Sequence, residues 1–184
     1  MNSSEKERFG VVYADAYDDV LRFVQRRMPA ADMGAAEDVV ADAMLAAWRR
    51  VDLLPHELGD ARAWIFGIAR NCLLNSSRSL RRQDALGVRV AQSPGHGVTG
   101  DTADAVAAQV DLAAAWGRLT AAEQEVLALA VFEGLTSQQA AAVLGTTSGA
   151  FRLRLSRARA TLRRHLEGVA RHPHENAPYE GTRS

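Results

Sequence analysis

Between residues 5 and 27 apolar side chains return every three or four positions: Phe9, Val12, Tyr13, Ala16, Val20 and Val24. That period marks one face of an α-helix, and Pro29 ends it. A second helix is predicted from about 35 to 51, burying Val40, Ala43, Met44, Ala47, Trp48 and Val51 before Leu54-Pro55 stops it. A third starts after Asp60, a candidate N-cap, and runs to about 82 with the stripe Ile65, Phe66, Ala69, Cys72, Leu73, Ser76 and Leu80. Residues 85–104 hold four glycines, a proline and no sustained period, so they read as a linker.

Periodicity then resumes. Thr120 with Glu123 and Thr136 with Gln139 have the spacing of capping boxes, and Gly134 is a natural stop between them. The last helix starts near Ser148 and reaches about Leu166, with Phe151, Leu155, Ala158, Leu162 and Leu166 on its core side. The polar tail carries two prolines and is expected to be disordered. The expectation is an all-α protein of two small helical domains, residues 5–83 and 105–167, joined by a flexible linker at 84–104 and followed by a tail at 168–184.

Charge sharpens this picture. The formal net charge is +0, which conceals a strong segregation. Residues 1–60 hold 12 acids and 7 bases, and residues 84–147 hold 7 acids and 2 bases. Residues 61–83 hold 5 arginines and no acid, and residues 148–166 hold 6 arginines and no acid. Two acid-free segments in an otherwise acidic chain fit two polyanion contacts; solvated arginine faces would give the same pattern. Lys6 is the one lysine, and arginine suits phosphate and base contacts better than lysine does. A lone cysteine, Cys72, excludes an internal disulfide and points to a reducing cytosol, with a small buried hydrophobe as its expected role. The N-terminus has no apolar signal core and no apolar run spans a bilayer, so a cytoplasmic protein without membrane insertion is expected.

The non-core faces carry the candidate chemistry. A short helix at 137–144, the turn Gly145-Thr146-Thr147 and the last helix form a helix-turn-helix pattern, with Ala141 small enough for close crossing. In such a unit the second helix enters the major groove. Arg152 and Arg157 can pair bidentately with guanine, Ser156 can serve either base type, and Leu153 can meet a thymine methyl. Arg154, Arg159 and Arg163, with Thr147 and Ser148 at the helix start, would hold phosphates. An arginine-rich helix exposed on a bundle is the plainer alternative.

On the third helix Trp64 falls opposite the core stripe, among Asn71, Asn75, Arg78 and Arg82. There it could stack on an unpaired base while the amides read base edges; packing under the preceding loop would explain it equally well. The second helix sets Asp38, Asp42, Leu45 and Arg49 opposite its buried side, a candidate protein-docking patch.

These residues resemble a family. Region 36–48, AEDVVADAMLAAW, resembles the second-region signature of extracytoplasmic-function (ECF) sigma factors, in the sigma-70 family of RNA polymerase sigma factors. Region 63–75, AWIFGIARNCLLN, is similar to their promoter-melting segment, and region 135–166 resembles their fourth-region helix-turn-helix. The resemblance covers about residues 9 to 166 and implies a factor that directs polymerase to promoters and catalyses no reaction itself. It implies that Asp38, Val39, Asp42, Leu45 and Arg49 dock on the beta-prime clamp helices of core RNA polymerase. It gives Trp64, Arg70, Asn71, Asn75, Arg78, Arg81 and Arg82 to the minus-ten element, and Arg152, Leu153, Ser156 and Arg157 to the minus-thirty-five element of promoter DNA. The beta flap is a further expected contact, and the linker, with Asp101 and Asp104 as RNA-phosphate mimics, would thread toward the active-site and RNA-exit channels. Factors of this family are often held by an anti-sigma factor. The chain departs from the pattern at Gly67, where the family usually has arginine, at Ala41 for a common glutamine, at Asn75 for a frequent acid, and at Leu153, often polar.

No cofactor or metal is expected. A bundle metalloenzyme using Glu37, Asp38 and Asp42 would want Glu-x-x-His pairs, whereas His56, His96, His165, His172 and His174 all fall in predicted loops, termini or tail. A stand-alone helix-turn-helix regulator explains the C-terminal half and leaves the Trp64 face without a role.

Overall fold

The structure, a computed structural model, describes residues 3–28, 30–79 and 103–171. The predicted linker up to residue 102 and the tail from residue 172 lie outside them, as do Leu80, Arg81, Arg82 and Asp101. The described residues form helices and turns, with no strand among them.

In the N-terminal half, α1 (Ser3–Arg27), α2 (Ala36–Trp48) and α3 (Leu58–Ser79) bury one stripe each against the others. Short 3-10 turns at Ala30–Ala35 and Val51–Leu53 link them. Phe23 of α1 and Phe66 of α3, both 0% exposed, meet with ring centroids 5.0 Å apart and tilted by 34°. Offset, tilted pairs of this kind avoid stacking negative ring faces on each other. Val20, Val24, Val40 and Ile65 fill the space around them.

In the C-terminal half, α7 (Ser148–Arg171) packs on α4 (Ala103–Gly117), α5 (Ala121–Val131) and α6 (Ser137–Leu144). Both capping boxes form. Thr120 Oγ1 accepts from the Glu123 backbone N–H while the Glu123 carboxylate accepts from that of Thr120; Thr136 and Gln139 repeat the exchange at α6. Gly134 and Gly145 both take φ +63°, the left-handed conformation that glycine adopts without a Cβ clash. At Gly145 this ends α6 and turns the chain into α7.

Five details differ from the sequence expectation. The second helix ends at Trp48, and Val51 reaches the core from a 3-10 turn. The third begins at Leu58, so Asp60 lies in its first turn and does not cap it; Asp60 Oδ1 accepts instead from Gln139 Nε2 of α6, 2.8 Å away. The last helix continues past Leu166 to Arg171, and α4 starts at Ala103, inside the expected linker. Finally, Ala63 and Ile68, outside the α3 stripe, are 4% and 8% exposed. The reason is tertiary: α1 and α2 cover one side of α3, and α6 covers another.

Candidate nucleic-acid interface

The helix-turn-helix is built as its sequence requires. Ala140 and Ala141 are buried, so α6 comes close to its neighbours. Thr147 Oγ1 accepts from the Ala150 backbone N–H at 3.2 Å and caps α7, leaving its own proton free for a phosphate. Ser148, next to it, is half-buried. Phe151, Leu155 and Ala158 hold the inner side of α7, while Leu162 and Leu166 are half-buried.

Arg152, Leu153, Ser156 and Arg157 all face solvent, and so do Arg154, Arg159, Arg163 and Arg164. None of these arginines makes a salt bridge among the described residues. Their grouping differs from a single reading row. Arg152, Ser156, Arg159 and Arg163 share a shallow groove beside Ser137, while Arg154 and Arg157 face a cleft toward Arg27, Arg70 and Glu125.

On α3 the structure places Asn71 and Asn75 at the surface. Trp64 is half-buried: it packs on the edge of the core and lines a cleft against α6. Arg70 is also half-buried, with Nε 3.7 Å from Glu125 Oε1 of α5. The backbone of Arg78 lies in α3, its side chain outside the described residues.

On α2, Asp38, Asp42, Leu45 and Arg49 form one exposed row, with Leu45 47% exposed. Val39 does not join them. At 7% exposed it belongs to the core, because the position after Asp38 turns about 100° toward α1 and α3. The Cys72 thiol is pushed up from its ordinary pKa, first by burial and then by the negative charge of Asp42.

One cluster had no signal in the pattern of positions. Arg26 Nη2 lies 2.6 Å from Glu133 Oε2, Arg27 Nη1 3.2 Å from Glu133 Oε1, and Arg27 Nε 2.9 Å from Glu125 Oε2. All four side chains are buried where the two halves meet. The available hint was local: adjacent arginines close an apolar helix, and a glutamate interrupts the apolar run of α5. Their pairing spans about a hundred residues, which no local window reports.

Comparison with known proteins decides the family. A model of sigma-70 region 2 matches residues 12–83 and a model of sigma-70 region 4 matches residues 109–162. The ECF RNA polymerase sigma factor SigL of Mycobacterium tuberculosis is 31% identical over 142 residues, which are 76% of this chain and 80% of SigL. The chain belongs to the ECF sigma factors of the sigma-70 family. This sigma factor is also 30% identical to BldN of Streptomyces coelicolor over 176 residues, 92% of the chain and 64% of BldN. Among solved structures it resembles the Bartonella quintana sigma factor RpoE in complex with the anti-sigma factor NepR, at TM-score 0.59 and 26% identity, covering 88% of this chain and 98% of that one. It also resembles CnrH in complex with the cytosolic domain of CnrY, at TM-score 0.56 and 28% identity, covering 89% and 90%.

The sigma factor thus directs promoter-specific transcription by RNA polymerase, as a member of a family of non-enzymatic initiation factors. Among the described residues no helix is long and apolar enough to cross a membrane, and no group of three His, Cys, Asp or Glu could hold a metal.

Proposed function

We propose that α7 reads the minus-thirty-five element, that α3 captures the minus-ten element, and that the outer row of α2 docks on the polymerase beta-prime clamp helices. The observation that carries this reading is the state of the α7 arginines: exposed, on a rigid helix, with no carboxylate holding them. Arg152 and Arg157 read bases with Leu153 and Ser156, while Arg154, Arg159, Arg163 and the α7 N-terminus at Thr147 and Ser148 grip phosphates.

Melting needs no covalent chemistry. Extruding a base costs on the order of a few kcal/mol, and stacking on an aromatic side chain returns about 1–3 kcal/mol. Trp64 offers that platform, with Asn71 and Asn75 at the base edges and Arg70, Arg78, Arg81 and Arg82 along the strand. Polymerase supplies the remaining contacts, with region 4 on the beta flap. In this reading residues 5–83 and 105–167 act as two domains that carry the two DNA contacts, and the stretch between them, with Asp101, threads toward the polymerase channels, while Asp104, expected in that stretch, lies in the first turn of α4. The protein works in the cytoplasm. An anti-sigma factor is a fitting partner, since the related RpoE and CnrH are each seen in a complex, RpoE with the anti-sigma factor NepR and CnrH with CnrY.

The test is in vitro transcription with core polymerase and genomic DNA fragments, with start sites mapped. Defined starts that share upstream elements about one minus-ten to minus-thirty-five spacing apart support the reading. Transcription that starts without any shared element overturns it.

A further inference from the structure

A cleft of about 460 Å³ lies where α1, α3, α5, α6 and α7 come together. Its size is that of a small-molecule site. The charged part of its lining is one-sided: Arg27, Arg70, Arg154 and Arg157 set four guanidinium groups against the carboxylates of Glu123 and Glu125. Both carboxylates are already in use. Glu123 accepts from the Thr120 backbone N–H and hydroxyl in the capping box, and Glu125 takes Arg27 Nε at 2.9 Å. Glu133, on the other side of Arg27, is shared with Arg26 and does not alter the balance. Among the described residues the cleft therefore keeps an excess of positive charge.

The four arginines differ in freedom. Arg154 and Arg157 are exposed and make no salt bridge among the described residues. Arg70 is half-buried, with Nε 3.7 Å from Glu125 Oε1, beyond hydrogen-bond range, and that oxygen is buried without a partner. Arg27, 2% exposed, gives Nε to Glu125 and Nη1 to Glu133 and the Phe23 carbonyl, while its Nη2 is buried with no hydrogen-bond partner. An unpaired buried guanidinium N–H costs free energy that an acceptor reaching it recovers.

The rest of the lining is apolar: Leu74, Ala121, Ala122, Val126 and Leu144. Ala121 and Ala122 open α5, and the first N–H groups of a helix have no partner inside it and form the positive end of its dipole. Duplex DNA fits this floor poorly, because its phosphates are diesters on a stiff rod and Arg27 lies below the surface. A terminal phosphate brings three open oxygens and a second negative charge, which arginine forks grip in pairs. A nucleobase offers the apolar wall a flat face.

We infer that this cleft binds a free nucleotide carrying two or three phosphates: Arg70, Arg154 and Arg157 clasp the phosphates above Arg27, and the base lies on Leu74, Val126 and Leu144. Arg154 and Arg157 are also the residues given to the upstream promoter element, so nucleotide and upstream duplex exclude each other. That consequence rests on the proposed reading of α7.

Calorimetric titration of the full chain with adenosine triphosphate, in magnesium-free buffer, tests the site. One nucleotide per chain should bind saturably below about 1 mM. Ala122→Glu lies at an exposed position in the first turn of α5, where an acid suits the helix. It sets a further carboxylate against the phosphates and should weaken binding by more than about tenfold in a folded protein. Arg70→Ala should weaken it on the same scale. Arg164→Ala, on an exposed arginine of α7 outside the cleft, should leave it unchanged. Absence of saturable binding overturns the site. So does a loss with Arg164→Ala equal to that with Ala122→Glu, the mark of a general arginine surface. Inorganic pyrophosphate should bind at least about tenfold more weakly than the nucleotide; equal affinity overturns the seat for the base. Gel-shift competition then separates the two readings. Nucleotide should displace upstream duplex from wild type and not from Ala122→Glu. Nucleotide that binds wild type and displaces no duplex refutes the α7 assignment and leaves the site standing.

Discussion

Arg27 and Glu133 are 106 residues apart in the chain, yet their side chains, each 1% exposed, meet at 3.2 Å. Glu133 also takes Arg26, so one carboxylate holds two guanidinium groups away from water. Removing the carboxylate takes from the buried Arg26 its ion-pair partner and leaves Arg27 with Glu125 alone, a loss of about 3–5 kcal/mol while the halves stay together. Glu133→Ala should therefore lower the denaturant midpoint clearly. Arg22→Ala, which breaks a pair with Asp19 on the surface, should change stability by less than ~1 kcal/mol. Equal effects from the two variants would mean that the buried cluster does not hold the halves.

The capping box at Thr120 predicts a pH dependence. The Glu123 carboxyl sits below its ordinary value of 4.5, first because it accepts from the Thr120 backbone N–H, with smaller help from the Thr120 and Thr161 hydroxyls and the His165 charge against a desolvation cost. A carboxyl with a depressed folded pKa stabilises fully above its unfolded value, and that stabilisation is lost as pH falls through the folded one. Wild type should therefore lose thermal stability below about pH 4.5 more steeply than Glu123→Gln. Thr120→Ala should cost about 1 kcal/mol at neutral pH, the usual worth of an N-cap. Parallel pH profiles for wild type and Glu123→Gln would contradict the cap.

Cys72 is half-buried and its thiol is held protonated, chiefly by burial and secondarily by Asp42. Because the thiolate is the nucleophile, iodoacetamide should modify native Cys72 more slowly than the denatured chain. Asp42→Asn should raise the native rate modestly without changing the denatured rate. Labelling as fast in the native state as in urea would contradict this placement.

The proposed reading divides the α7 arginines by task. Arg157→Ala should cost roughly 1–3 kcal/mol in upstream binding and relax preference at one base pair. Arg163→Ala should weaken binding to all sequences alike and reduce the salt slope by about 1. Gel-shift titrations on a randomised upstream element separate the two, and interchangeable profiles would refute the assignment.

Trp64→Ala should remove about 1–3 kcal/mol from open-complex formation, as measured by permanganate footprinting, with less effect on duplex binding. Trp64 also touches the core edge, so Trp64→Phe is the needed companion: it keeps an aromatic face and should recover most of the opening. Opening that falls with Trp64→Ala and returns with Trp64→Phe in strict proportion to thermal stability would point to a packing role.

What the chain revealed by itself followed from local rules. Both capping boxes, the glycine stops at Gly134 and Gly145, and the inner stripe Phe151-Leu155-Ala158 depend on neighbours three or four residues away, and all three stand in the structure. The resemblance to ECF sigma factors also holds. Asp60 escaped the local reading because a helix start can be shared among several residues, and here its carboxylate serves Gln139 of another helix. Ala63 and Ile68 looked peripheral on a wheel drawn for one buried face, and α6 gave α3 a second one. Val39 came with the family motif, while the helix phase turns it inward. The Arg26, Arg27, Glu125 and Glu133 cluster needed three dimensions to be seen.

The outer row of α2, with Leu45 47% exposed between Asp42 and Arg49, stands uncovered, as do the arginines along α7. A partner can therefore land on α2 without displacing any packed side chain of the core. Under the proposed docking role, the landing side is then ready-made: Val39, Val40, Ala43 and Met44 anchor the helix from below, so its outer charges are presented at fixed spacing to whatever arrives.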